Sequence, residues 1–472
     1  MDTIPLLHLQ FNYRSRLMVN IKHVHIVKPA GVTPSGTTYL SESDQSSAIT
    51  HAPTIYIYRH PTTNQPFHTL VQTLISSLSQ TLVDFYPIAG RVRYIPNAGG
   101  RVELECNAEG VVLIEAESGL EVSDLGDFSP SPMISTLIPK VDYSTKPIHE
   151  TPIVLVQVTS LRCGGITMGL AASHSVFDGQ GALLFISEWC KRARGVVDPV
   201  RPFLDRPILK PCALLAKVVS EKNDGCVHID YSPPPLLVGQ SDDGAERAKE
   251  TAVATLKLSA KQVAELKSKA NLDNAAAGGR PYTRYETIAA HIWRCSSKAR
   301  QHIDSQPTRL RIPTNFQNRL KPPLPPTFLG NMVRRVAVDT TSGELLNNPL
   351  GHISAKIRQK LTSVDDKYIR DALAYLEKQA DVTQFRNFHS LGCTMGGFFG
   401  NPNFEITSWL SLPIYGSDFG WGPEDYMGPG AIGFDGKSFV LPGHDEDGSV
   451  VIFMRLQDEY MDDFTKCFYE DI

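Results

Sequence analysis

Apolar residues recur along this chain with two periods, and the periods alternate. At 53–59, PTIYIYR is rich in β-branched and aromatic residues, which predicts a strand. Over 67–84, Leu70, Val71, Leu74, Leu78 and Leu82 fall at helical spacing and predict a helix with one buried face. FYPIAGRVR at 85–93 leaves that helix through Pro87 and Gly90 into another strand. Two apolar runs, 152–160 and 165–173, are joined by the glycine-containing LRCGG and predict a hairpin. HSVFDG follows, and then a helix over about 180–194.

Residues 201–246 break this rhythm with RPFLDRPILKP, a run of prolines and an acidic polar stretch. Such composition predicts a crossover linker between domains. The pattern restarts with a strand at 251–258 and a helix at 259–270. Another helix begins near Arg284, and strand-and-loop character dominates 309–343 and the chain after 405. Both halves run strand then helix, so the fold class is α/β with two similarly built domains, at 18–200 and 247–472. Residues 1–17 have no secretory apolar region or cleavage site and are expected to be a disordered extension ahead of Met18.

Composition narrows the function by exclusion. A net charge of −4 gives no basic face for nucleic acid. No apolar stretch reaches the roughly 20 residues that span a bilayer. The eight cysteines are scattered without CxxC spacing, so neither a metal site nor a disulfide framework is expected. GPGAIG at 428–433 matches G-x-G-x-x-G, but turn and strand residues follow it rather than a helix, so no dinucleotide site is expected. A phosphate loop and a G-x-S-x-G nucleophile elbow are both absent from the sequence.

Two motifs remain. His174 ends an apolar strand and precedes Asp178 and Gly179. A lone histidine there is commonly structural, but a rigid strand would also place an imidazole well for proton abstraction near neutral pH. DFGWG at 418–422 sets an aromatic pair between Gly420 and Gly422, with Asp418 able to cap a tight turn.

HSVFDG and DFGWG, about 240 residues apart, together resemble the paired signature of the BAHD acyltransferases. FYPIAGR, RYETIAAHIWRC at 284–295 and PPLPPTFLGN at 322–331 are also similar to segments of that family. The resemblance implies two chloramphenicol-acetyltransferase-like domains around a central solvent channel, in a monomeric cytoplasmic enzyme. It implies acyl-CoA as co-substrate, with no metal and no other cofactor, and neither nucleic acid nor membrane as partner. His174 matches the general base. Asp178 matches a residue that turns away and pairs with an arginine, here Arg319. The family usually reads D-x-R-x-R at that arginine, where this chain has Asn315 and Gln317. ITSW at 406–409 resembles the hydroxycinnamoyltransferase branch, which assigns Thr407 to the acceptor and Trp409 to the oxyanion, with Asp418 among the catalytic residues.

For the acceptor, the resemblance to shikimate and quinate transferases places Thr394 where those enzymes carry a carboxylate-binding arginine. LSESDQ at 40–45, THAPT at 50–54 and FYEDI at 468–472 resemble spermidine hydroxycinnamoyltransferases instead. Glu42, Asp44 and Glu405 would then receive ammonium groups, and the expected reaction is acylation of a polyamine amine. The alternatives are ester formation on shikimate, quinate or another alcohol, and a non-catalytic acyl-CoA-binding protein.

Overall fold

The computed structural model describes residues 19–63, 65–196, 198–210, 229–276, 278–386, 398–445 and 447–472. The expected positions 1–17 and Thr394 lie outside them. Fifteen strands are formed among these residues. The first eight are β1 (Val19–Val27), β2 (Gly36–Thr38), β3 (His51–Tyr58), β4 (Arg91–Tyr94), β5 (Val102–Cys106), β6 (Val111–Ser118), β7 (Val154–Leu161) and β8 (Ile166–Ser173). The remainder are β9 (Thr251–Leu258), β10 (Pro307–Asn315), β11 (Val333–Thr341), β12 (Phe404–Ser408), β13 (Tyr426–Pro429), β14 (Lys437–Pro442) and β15 (Val450–Gln457).

They build two six-stranded sheets, ordered β1-β6-β7-β8-β3-β13 and β11-β10-β12-β14-β15-β9, and a small sheet β2-β5-β4. Helices Phe67–Asp84 and Gly179–Ala193 pack on the first sheet, the first burying the apolar stripe its sequence predicts. Trp189 on the second of these is fully buried and donates its indole N–H to Leu74 O and Ser77 Oγ of the other. In the second half, helix Arg284–Ala299 starts with a capping box between Thr283 and Glu286 and buries Trp293 against Thr308. Burying each such large side chain contributes about 1.5–3 kcal/mol. Leu350–Ser363 and Asp366–Glu377 are two further helices that the pattern reading passes over.

The hairpin β7–β8 is antiparallel, and its turn needs Gly164 at φ +85°. All eight residues of β8 are buried, so the strand holds whatever follows it rigidly. One strand crosses between halves: β13, from late in the chain, pairs antiparallel with β3 and closes the first sheet. With it come Phe419 and Trp421, which pack into the first half's core against Trp189 and Tyr58. No helix among the described residues is long and apolar enough to cross a membrane.

The halves are also tied by charge. Asp44, fully buried, pairs with Arg206 at 2.8 Å and accepts from both the backbone and side-chain amides of Asn331 at 2.9 Å. Breaking such a buried pair leaves a cation in low dielectric. Asp44→Ala is therefore expected to cost about 3–5 kcal/mol, read as a fall in unfolding free energy in a denaturant titration. A loss below about 1 kcal/mol, the range of an exposed pair, would contradict this.

Candidate active site

His174 sits one residue past β8. Its backbone N–H bonds to Thr50 O at 2.9 Å, which fixes the chain where the side chain leaves it. Its Nδ1 lies 3.2 Å from Oδ1 of Asn331. The Asn331 amide has no choice of orientation: its Nδ2 donates to Asp44 Oδ1 and to the His174 carbonyl, each at 2.9 Å. Its oxygen therefore faces the imidazole, so Nδ1 carries the proton and Nε2 keeps its lone pair. Burial, helped by the nearby Arg335 and Lys437, lowers the His174 pKa to about 4. The ring is thus a neutral base at physiological pH.

Asp178 caps helix Gly179–Ala193. One oxygen accepts from the amides of Gln180 and Gly181, both at 3.0 Å, and the other accepts from Met332 N–H at 2.8 Å. Burial raises this carboxyl to about 6. The expected pairing with Arg319 is not made. With three amides on Asp178, no oxygen needs an arginine, and Arg319 instead bonds the carbonyls of Leu361 and Val364. Asn315 and Gln317 form a neutral amide chain with Gln180, with contacts of 2.9 Å on each side. Gly179 has room for a side chain, since a Cβ there would meet Leu412 at 3.6 Å.

Asp418 holds the DFGWG turn. Its Oδ1 accepts from the amides of Gly420 at 2.7 Å and Gly422 at 3.0 Å, while Arg194 lies at 3.8 Å. Gly420 and Gly422 have φ of +104° and +97°, which side chains rarely adopt. The contacts of Asp418 are those of a turn organiser rather than a group on His174.

Thr407 and Trp409 lie at the end of β12. Trp409 is half-buried, edge-on to Phe439 with ring centroids 5.3 Å apart, and its backbone bonds Val440 O. Thr407 Oγ1 accepts from Lys437 Nζ at 2.7 Å. Glu405, on the same face of the strand, is bonded by Lys437 and lies 3.5 Å from Arg335 and 3.6 Å from Arg311. Burial alone would raise this carboxyl, but the three cations hold it down at about 2. Glu42 is also buried and pairs with Arg101 at 3.4 Å. Each of the three acids expected to receive ammonium groups is thus engaged by a cation.

A cavity of about 410 Å³ opens beside Ser173, the chain neighbour of His174. Its wall includes His51, Tyr143, Lys146 and Arg386. His51 Nδ1 contacts Tyr143 Oη at 2.8 Å and its Nε2 contacts Pro152 O at 2.7 Å, and burial lowers its pKa to about 4. Arg386 is 3% exposed and bonds Gln45 O, Gln45 Oε1 and Gly100 O, all neutral acceptors. Asn331, Arg335, Lys437 and Arg386 carry no role in the sequence reading. FLGN marked the segment around Asn331 but not its function. Among the described residues no group of three His, Cys, Asp or Glu could hold a metal ion.

The Transferase family model matches residues 17–471. A hydroxycinnamoyl-CoA:piscidic acid hydroxycinnamoyltransferase of Actaea racemosa is 46% identical over 96% of this chain and 100% of its own length. A shikimate O-hydroxycinnamoyltransferase of Nicotiana tabacum is 36% identical over the same shares, 96% and 100%. Vinorine synthase shares the fold, with a TM-score of 0.71 at 18% identity over 94% of this chain and 96% of that one.

Turnover that needs the neutral imidazole should stay level through the ordinary histidine range near 6.5 and fall only as pH approaches about 4. A kcat profile that drops near 6.5, in protein shown to stay folded, would contradict the buried setting of His174. Asn331→Ala should lower kcat, because it frees the ring to take the other tautomer, while leaving KM for the acyl-CoA little changed. An unaltered kcat would show that Asn331 does not orient the base.

Proposed function

The chain belongs to the Transferase family and is an acyl-CoA-dependent acyltransferase, and from that premise we propose that it moves a hydroxycinnamoyl group from coenzyme A to a hydroxyl of a carboxylate-bearing acceptor. The observation that carries this reading is His174, held neutral with Nε2 free by the Asn331 amide. The acceptor hydroxyl gives its proton to Nε2 as its oxygen attacks the thioester carbonyl. The C–O bond forms and the carbonyl π pair moves to oxygen. The Trp409 indole N–H is the donor assigned to that oxyanion. The tetrahedral adduct then expels the CoA sulfur, which takes the proton back from the imidazolium. An imidazolium with a low pKa is a strong acid, which suits protonation of a leaving thiolate.

An oxygen acceptor with a carboxylate is favoured over a polyamine by charge. Glu42, Asp44 and Glu405 are already paired, so they offer little to ammonium groups. The groups acting on His174 are the cations Arg335 and Lys437, and Lys146 and Arg386 face the cavity next to it. The positive charges there would repel spermidine and attract an acid. The two relatives named above act, by their names, on piscidic acid and on shikimate.

Purified protein offered p-coumaroyl-CoA with shikimate, quinate, spermidine and a neutral alcohol should give esters of the hydroxy acids and little amide. Mass spectrometry of products decides it. Amide from spermidine with no ester from any acid would overturn the reading. His174→Ala should abolish nearly all ester formation, and Trp409→Phe should lower kcat about 100- to 1000-fold, the usual cost of one oxyanion donor. Full activity in the His174 variant would point to a base elsewhere.

A further inference from the structure

We propose that the acceptor carries two carboxylates, and that Arg335 and Lys437 receive the second one at the face of the second sheet beside Thr407. This rests on the ester-forming reading above and adds the anionic class of its acceptor. The sheet itself assembles the station. Arg311, Glu405 and Lys437 stand directly opposite one another across β10, β12 and β14, a row of alternating charge. Arg335 on β11 is opposite Pro313, one step along the same face as Arg311. Their backbone neighbours Leu310, Ile312, Phe404 and Ile406 point the other way, into the core. All four charged side chains are therefore placed on the face that the second half's core does not use.

On that face Arg335 and Lys437 both draw on one acid, Glu405. Glu405 is shared among its cations, and among the described residues neither Arg335 nor Lys437 pairs with any other acid. A buried excess of positive charge is costly unless an anion completes it. Exposure says which groups meet the open space: 14% for the Arg335 side chain and 11% for Lys437, against 1% for Glu405. Lys437 also reaches Thr407, two residues before Trp409. The row thus adjoins the place where the oxyanion donor is assigned.

The first carboxylate has its own station. Arg386 is buried with only neutral oxygens as partners, and it shares the cavity beside Ser173 with Lys146. His174 follows Ser173, which lines that cavity, and also feels Arg335 and Lys437, so both cationic stations lie near the base. A hydroxyl flanked by two carboxylates would be held at both ends with its oxygen at Nε2, the arrangement that converts binding into positioning. The planar guanidinium of Arg335 adds a two-point grip that a lone ammonium lacks.

The test compares kcat/KM, with p-coumaroyl-CoA, for tartrate and malate against their monomethyl esters, and for shikimate. The diacids should be preferred over the monoesters at least tenfold, and Arg335→Gln should bring that preference close to one. Lys437→Met, which leaves Glu405 paired with Arg335, should reduce it as well, and Arg335→Lys should restore part of it. Circular dichroism and KM for the acyl-CoA check that each variant keeps its fold. Equal turnover of diacid and monoester, or a preference that survives both variants, would overturn the second station while shikimate ester still upholds the reaction. No ester from any hydroxy acid, shikimate included, would overturn the reaction itself.

Discussion

The carboxylate of Asp44 is the interaction on which the site depends. It is fully buried, and it belongs to the first half while Arg206 of the crossover and Asn331 of the second half both bond it. An isolated ion in such a place would be expelled at a cost of several kcal/mol. Here every lone pair is taken: Arg206 and Ser41 on one oxygen, the two amides of Asn331 on the other. The choice of partners does more than hold the halves together. By consuming the Asn331 amide it turns that side chain's oxygen toward His174 and sets the tautomer of its imidazole. One residue further on, Met332 gives its N–H to Asp178, so the same short segment is stitched to the first half twice.

What could be read from the sequence was local. The stripe Leu70, Val71, Leu74, Leu78 and Leu82 gives the helix Phe67–Asp84, and two apolar runs around Gly164 give the hairpin that presents His174. What could not be read was partnership. Asp44 and Glu405 are legible as charges, but their cations come from strands and loops far along the chain. The row Arg311, Glu405, Lys437 exists only because β12 lies between β10 and β14, an order that no run of sequence states. The Asp178–Arg319 pairing failed for the same reason: the motif gave two opposite charges, and the helix end gave the acid nearer donors.

The site joins a neutral base to charged surroundings, and the two are linked. Arg335 and Lys437 oppose protonation of His174, so the charges that would attract an acid also keep the base free of its proton. Glu405 moderates those cations without cancelling them, and its own ionisation is secured by them. Acceptor selectivity and basicity would therefore share one set of side chains, and a change to Arg335 or Lys437 would be felt at the imidazole. The neutral amide chain of Asn315, Gln180 and Gln317 is not among the groups acting on His174.

The crossing of β13 has a consequence for how the chain comes to be folded. The first sheet keeps one edge, that of β3, open until residues 426–429 exist. Phe419 and Trp421, which complete the same core, arrive only just before them. On the ribosome the early half must therefore wait, with a bare strand edge and an unfilled core, until residues 419–429 have emerged. Domains commonly mature in the order they are made, but this one cannot. An exposed edge of this kind invites pairing with other chains, so during synthesis the enzyme's vulnerable surface is the edge of β3 that β13 will close.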